Sequence, residues 1–198
     1  MMRSNSKRPA VFVDRDGTLI EEVNFLSRVE DLRLFEFTAE AVSGLKRAGF
    51  LVIVVTNQSG IGRGLFSEAA MHSIHDQIQR LLPDQIDAFY FCPHLPDDGC
   101  ECRKPRSGMI DTASSDFDID LSRSWIIGDK RLDVETGFNA GLRTALVKTG
   151  YGAQHASSLD KSPDIIADDF GKAAVLIADT AAKENSLNVS NLNTGVAR

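Results

Sequence analysis

Six consecutive residues, Phe50-Leu51-Val52-Ile53-Val54-Val55, are apolar and largely β-branched, with no polar residue among them. A strand with one wet face alternates, whereas a run this dense is buried on both faces, as in the middle of a parallel sheet covered by helices. Before it, Thr38 can cap a helix running to Ala48, Val42 and Leu45 share one face, and Gly49 stands where a left-handed C-cap is favoured. Ala10 to Val13 is a shorter run of the same kind. Strand, helix, strand in this order implies a right-handed crossover.

The alternation continues. Ser67 reads as the N-cap of a helix with Met71, Ile74, Ile78 and Leu81 at helical spacing, closed by Pro83. Ala88–Phe91 follows as a strand, then a helix from Gly108 to Asp116, a strand Trp125–Ile127, a helix Lys130–Asn139 and a strand Thr144–Val147. The last pair is Asp164–Ala167 and Phe170–Ala178. The fold class is therefore α/β, a three-layer Rossmann-like parallel sheet with helices on both faces. A chain of 198 residues holds one such domain. It is expected over residues 10–182, after a flexible N-terminus at 1–9 and before a disordered polar tail at 183–198. His72 and His75 lie off the apolar stripe of their helix and read as surface residues. Leu19–Phe37 has no clear period and reads as a loop or hairpin over the end of the first strand, shaping a substrate entrance.

A net charge of −6 argues against nucleic-acid or anionic-membrane surfaces, while leaving room for a local basic pocket. Met1–Arg8 leads into no apolar h-region, and no apolar run approaches 18 residues, so a cytoplasmic location without membrane insertion is expected.

The strand ends carry the chemistry. Val13 runs straight into Asp14-Arg15-Asp16-Gly17-Thr18. In an extended chain the carboxylates of Asp14 and Asp16 face one volume and Arg15 faces elsewhere; their repulsion calls for a divalent cation, for which Mg²⁺ is suited. Ligands of open α/β sheets bind at this edge. Thr56-Asn57-Gln58-Ser59-Gly60 ends the central run at the same edge, followed by the cationic turn Ile61-Gly62-Arg63-Gly64. Gly128-Asp129-Lys130 repeats the pattern, so that Asp129 can complete a magnesium site, with Asp133 one turn on reinforcing it or orienting Lys130.

The three cysteines crowd together. Cys92-Pro93-His94 and Cys100-Glu101-Cys102, separated by five residues, form a Cys₃His set suited to tetrahedral Zn²⁺. Such a closed set is structural: it staples a loop of little apolar content and makes Arg103 and Lys104, ahead of Pro105, a rigid cationic pair.

Asp14-Arg15-Asp16-Gly17-Thr18, Thr56-Asn57, Lys104 and Gly128-Asp129-Lys130 with Asp133 together resemble the four motifs of the haloacid dehalogenase superfamily of phosphatases. Within it, Thr56 to Ile61 and the cysteine loop through Pro105 are similar to the heptose 1,7-bisphosphate and histidinol-phosphate phosphatases. The resemblance covers about Ala10 to Gly152. It implies Asp14 as nucleophile, Asp16 as general acid and then base, Thr56 and Lys104 as phosphoryl stabilisers, Mg²⁺ on Asp14, Asp16 and Asp129, and substrate contacts by Arg103 and Lys130. Glu22-Val23-Asn24-Phe25 lies where these heptose phosphatases place a substrate loop, and differs from the His-Gly-Tyr of some members. With no large cap domain, substrate selection falls to this loop, to the turn that begins with Asn57, Gln58 and Ser59, and to the cysteine loop. The expected activity is Mg²⁺-dependent hydrolysis of a small phosphorylated sugar by a monomer, at the C7 phosphate of a heptose 1,7-bisphosphate. The alternatives are histidinol phosphate hydrolysis and non-catalytic phosphosugar binding.

Overall fold

Every apolar run becomes a strand of one sheet in a computed structural model that describes residues 7–194, with side chains as far as 187. In chain order the elements are β1 (Ala10–Val13), α1 (Thr38–Arg47), β2 (Leu51–Asn57), α2 (Ser59–Gly62), α3 (Glu68–Leu81), β3 (Ala88–Cys92), α4 (Gly108–Asp116), β4 (Trp125–Gly128), α5 (Arg131–Ala140), β5 (Arg143–Val147), α6 (Gly152–His155), β6 (Ile165–Ala167) and α7 (Phe170–Thr194). The six strands run parallel in the order β3-β2-β1-β4-β5-β6. The chain winds outward on one side through β1, β2 and β3, then returns to the centre at β4. The switch point, where a doubly wound sheet opens a crevice, lies between β1 and β4.

Alternation along each buried strand feeds two cores. Val11, Val13, Val52, Val54 and Ile127 face one layer with Val42 and Leu45 of α1, Ile74 and Ile78 of α3, and Phe170 and Ile177 of α7. Ala10, Phe12, Ile53, Val55 and Ile126 face the other with Met109 and Ile110 of α4. Register pairs Val13 with Val54 on one side and Ile127 on the other, so β4 ends one residue beyond β1 and β2 three residues beyond it.

Some elements differ from their sequence reading. Thr38 is the first helical residue of α1, not its cap; its hydroxyl donates to Leu19 O at 2.7 Å, tying the helix start to the segment after β1. That segment is held by isolated bridges, Asp16 with Ile20 and Ile20 with Leu34. On α3 the buried stripe closes with Leu82, while Leu81 is exposed. The expected break after Ala178 and the disordered tail from 183 are not seen as far as 194: α7 continues, because Ala173, Ala174, Ile177 and Ala181 extend one apolar stripe and Glu184 Oε1 pairs with Arg143 Nη1 at 2.7 Å. Residues 195–198 lie outside the described residues, as do 1–6 of the expected flexible N-terminus; Arg8 is paired with Ile119. Among the described residues no helix is long and apolar enough to cross a membrane.

Candidate active site and metal centres

At the end of β1 the ladder extends one residue further, Asp14 N donating to Ile127 O at 2.9 Å. The chain then turns. Leu19 N and Ile20 N both donate to Arg15 O, at 3.0 and 3.1 Å, and Gly17 takes φ 81°, a left-handed value that suits glycine. The extended alternation assumed for Asp14 and Asp16 therefore stops. Asp16 turns its carboxylate away from that of Asp14, onto Arg15 Nε and Nη2, each at 3.0 Å, and Gln58 Nε2, also at 3.0 Å. Arg15, expected to face elsewhere, is buried and holds Asp16 in a two-pronged grip. The main-chain carbonyl of Asp16 lies 3.5 Å from Lys130 Nζ.

That cluster comprises Asp14, Asp129 and Asp133, each buried and each with an oxygen within 4.8 Å of the others. Asp133, expected in support, is a full member by distance, though both its oxygens are engaged. Lys104 Nζ lies 2.5 Å from Asp133 Oδ1 and 2.9 Å from Asp14 Oδ1, and donates to Val55 O at 3.0 Å. Asp133 Oδ2 accepts from Lys130 N at 3.0 Å across the start of α5. Lys130 Nζ sits among Glu22 Oε2 at 3.1 Å, Asp129 Oδ1 at 3.2 Å, Asp16 O at 3.5 Å and Asp14 Oδ2 at 3.8 Å.

The charges are unevenly matched. Burial alone would raise the Asp14 carboxyl, but Lys104 and Lys130 outweigh it and hold Asp14 below the usual range, which favours its ionised form. Burial, reinforced by the neighbouring Asp14, pushes Asp129 up to about 7. Asp133 is likewise raised by burial, which its contact with Lys104 does not offset. Two lysines thus leave the carboxylates short of positive charge. The oxygens converging on the Lys130 ammonium, from Asp14, Asp129 and the Asp16 carbonyl, are the hard-oxygen donors that Mg²⁺ takes.

The remaining predicted groups arrive from neighbouring strands. Thr56 at the end of β2 has its Oγ1 bonded by Gln58 Nε2 at 2.8 Å. Asn57 clamps the Lys104 main chain, its Nδ2 donating to Lys104 O at 3.2 Å and its Oδ1 accepting from Lys104 N at 3.1 Å. Asp129 is fixed from behind: Tyr151 N donates to its Oδ2 at 2.8 Å, and a Cβ at either Gly17 or Gly150 would collide with that same oxygen.

Two cavities adjoin. One, about 170 Å³, is lined by Asp14, Thr56, Arg103, Lys104 and Asp133. The other, about 200 Å³, is lined by Glu22, Val23, Asn24, Phe25, Ser59 and Tyr151. Asp16, Asn57 and Lys130 line both. Arg103 reaches back to donate to His94 O at 3.1 Å, so it is anchored to the cysteine loop. Tyr151, with Lys130 Nζ 5.2 Å from its ring centre, is a member that sequence reasoning missed. Its one signal is the Gly150-Tyr151-Gly152 turn just beyond β5.

Between β3 and α4, Cys92, His94, Cys100 and Cys102 converge. Sγ of Cys92 lies 3.6 Å from Cys100 Sγ, which lies 3.6 Å from Cys102 Sγ; His94 Nδ1 is 3.6 Å from Cys92 Sγ and 3.2 Å from Cys102 Sγ. A tetrahedron of sulfurs bonded at about 2.3 Å has edges of roughly 3.8 Å, so the donor set and spacing fit Zn²⁺. Burial holds the Cys92 thiol up at about 12, an uncharged state that a bound cation would reverse.

His75, expected on the surface, is instead buried, stacked on Phe89 with ring centres 4.6 Å apart and its Nε2 3.3 Å from Arg15 Nη1. The helical face beside the apolar stripe meets β3 here, a tertiary contact that helix period alone does not reveal. Burial, aided by Arg15, pushes its pKa down to about 3. The folded protein then refuses a proton that the unfolded chain accepts below about 6.5, so this contribution is complete above that pH and is lost as the pH falls. Between pH 7 and 5 it amounts to about 2 kcal/mol. Urea midpoints for the native protein and His75→Gln should diverge in pH dependence over that interval; parallel curves would refute a neutral buried histidine.

The HAD-hydrolase-like family model matches residues 101–173. The D-glycero-D-manno-heptose-1,7-bisphosphate 7-phosphatase of Thermosynechococcus vestitus is 42% identical over 187 residues, covering 84% of this chain and 93% of that one. The D-glycero-beta-D-manno-heptose-1,7-bisphosphate 7-phosphatase of Pseudomonas aeruginosa is 33% identical, covering 84% and 96%. Among solved structures, the D,D-heptose 1,7-bisphosphate phosphatase from B. bronchiseptica, complexed with magnesium and phosphate, superposes with a TM-score of 0.81 at 31% identity, covering 87% of this chain and 99% of that one.

Proposed function

This chain belongs to the heptose-1,7-bisphosphate 7-phosphatases of the HAD-like hydrolases, and from that membership we propose that it is a Mg²⁺-dependent phosphomonoesterase removing the C7 phosphate of D-glycero-D-manno-heptose 1,7-bisphosphate. The carrying observation is the position of Asp16 on the border between the two cavities. The phosphoryl group sits with Asp14, Thr56 and Lys104, the sugar lies along Glu22–Phe25 and Ser59, and the bond to be broken falls where Asp16 stands.

Asp14 Oδ attacks phosphorus and the bond to the sugar oxygen breaks, leaving an aspartyl phosphate. Asp16 supplies the proton that makes the departing oxygen a hydroxyl, then recovers one from the water that cleaves the aspartyl phosphate. Lys104 and the Thr56 hydroxyl stabilise the equatorial phosphoryl oxygens, while Asp133 and Val55 O orient the Lys104 ammonium. The carboxylates of Asp14 and Asp129 and the carbonyl of Asp16 would hold Mg²⁺, which would supply positive charge against the transferred group. Asp133 supports this site through Lys104 and Lys130 N. Lys130 and Arg103 contact the substrate. Zn²⁺, held by Cys92, His94, Cys100 and Cys102, has a structural role.

Heptose 1,7-bisphosphate should surpass histidinol phosphate in kcat/KM by tenfold or more, about 1.4 kcal/mol, with one phosphate released per turnover and the anomeric phosphate retained. Tenfold preference for histidinol phosphate would overturn the assignment. The heptose reading is favoured over histidinol phosphate because both relatives bear the heptose name along more than nine-tenths of their own length.

A further inference from the structure

We propose that His75 is a positioning residue for phosphoryl transfer: by accepting from Arg15 Nη1, it fixes the guanidinium that grips the carboxylate of Asp16 on the border between the two cavities. The inference rests on the acid role of Asp16 given above.

An arginine can only donate, so the 3.3 Å contact requires an unprotonated Nε2 and places the ring proton on Nδ1. The ring cannot drift, since it stacks on Phe89 of β3 at an interplanar angle of 22° with the edge of Phe91 nearby. Arg15 is 1% exposed, so its donors need acceptors inside the protein. Nε and Nη2 go to Asp16, and His75 receives Nη1. The acceptor's lack of charge matters: a carboxylate at that place would draw the guanidinium away from Asp16, whereas a neutral imidazole fills the third direction and leaves Nε and Nη2 aimed at Asp16. Burial and the adjacent guanidinium together keep His75 neutral. Without this acceptor Nη1 is stranded in the interior, and the guanidinium relaxes toward another partner, taking Asp16 with it. In the first half-reaction the Asp14–phosphorus bond forms, the phosphorus–sugar oxygen bond breaks, and the Asp16 proton passes to that oxygen. A displaced Asp16 therefore harms substrates whose leaving oxygen needs the proton and spares those whose leaving group departs as a stable anion.

The test compares kcat/KM, which reports only the first half-reaction, for heptose 1,7-bisphosphate and p-nitrophenyl phosphate on the Mg²⁺-loaded enzyme. His75→Leu should lose about tenfold or more on the sugar, part of the 10²–10⁴ that positioned proton transfer supplies, while staying within about twofold on the nitrophenyl ester. His75→Gln, which restores an acceptor near the Nε2 position, should recover most of the loss. A merely structural lesion would lower both substrates in parallel; parallel loss, or no loss on the sugar, overturns the proposal. Should His75→Leu fail to fold, Arg15→Lys, which keeps the charge and loses the fork, must show the same divergence. Asp16→Asn provides the benchmark: absence of divergence there strikes the acid role itself, while divergence there without it in His75→Leu strikes the positioning role alone.

Discussion

Asp14→Asn should reduce kcat by at least about 10⁴-fold, as expected when the nucleophile of a covalent mechanism is removed, and should leave the folded protein intact. Asparagine has the same shape, and its Oδ1 can still accept from Lys104, whose ammonium keeps Asp133 at 2.5 Å and Val55 O at 3.0 Å. No buried group is therefore stranded. The substitution also removes one of three crowded carboxylates; Asp129, pushed up to about 7 partly by Asp14, is relieved of that repulsion. Against that relief stands the lost attraction of Asp14 to Lys104 and Lys130, so without added metal the thermal midpoint should move little. Turnover in the variant within tenfold of the native rate would sink the aspartyl-phosphate mechanism, and a non-catalytic binding protein would show no native turnover to lose. Melting curves recorded in parallel separate chemistry from stability.

Removal of zinc should be nearly as damaging by a different route. Metal analysis should find about one Zn per chain, the number a closed four-donor site holds. Cys102→Ser should lose that zinc and destabilise the protein by about 3 kcal/mol or more, since binding free energy at a structural site is folding free energy. The loop from Pro93 to Ser107 has no helix or strand of its own and one branched apolar residue, Leu95, so a zinc on the proposed site would be its principal cross-link. Its loss frees Arg103, tethered to His94 O, and loosens the approach to Lys104, which is then held by the main-chain clamp of Asn57 and by its ammonium's contacts with Asp14, Asp133 and Val55 O. Activity should fall along with the melting temperature. Zinc-free native protein, or an unchanged melting curve for Cys102→Ser, would refute the staple.

Much of this molecule is legible in its sequence because the decisive signals are local. The unbroken run ending at Val55 can only be a central strand, and Asp14, Thr56 and Asp129 are legible because each directly follows such a run. The Cys92 to Cys102 cluster is legible because its four donor side chains fall within eleven residues. What escapes is whatever depends on a turn or on distant packing. Asp16 could not be oriented, since the bond pattern around Arg15 O ends the period of two one residue too early. His75 could not be placed inside, because its acceptor role depends on Arg15, sixty positions away. The continuation of α7 escaped because its polar composition hides the stripe through Ala181 and the Glu184–Arg143 pair. The short helices α2 and α6 carry too few residues to display any period.

The two glycines that wall in Asp129 make its surroundings mutationally interdependent. Gly17 follows β1 and Gly150 follows β5, yet an added methyl at either would strike the same carboxylate oxygen, the one that receives Tyr151 N. Once the first replacement has displaced Asp129, the second no longer meets that oxygen, though it still strains a left-handed backbone and crowds the facing glycine, so the costs of the two single alanine variants should not simply add in the double one. In an evolving lineage these positions are accordingly bound together: neither can drift from glycine while the aspartate between them remains in service, and even without that aspartate their left-handed backbones and their close mutual approach would still favour glycine at both.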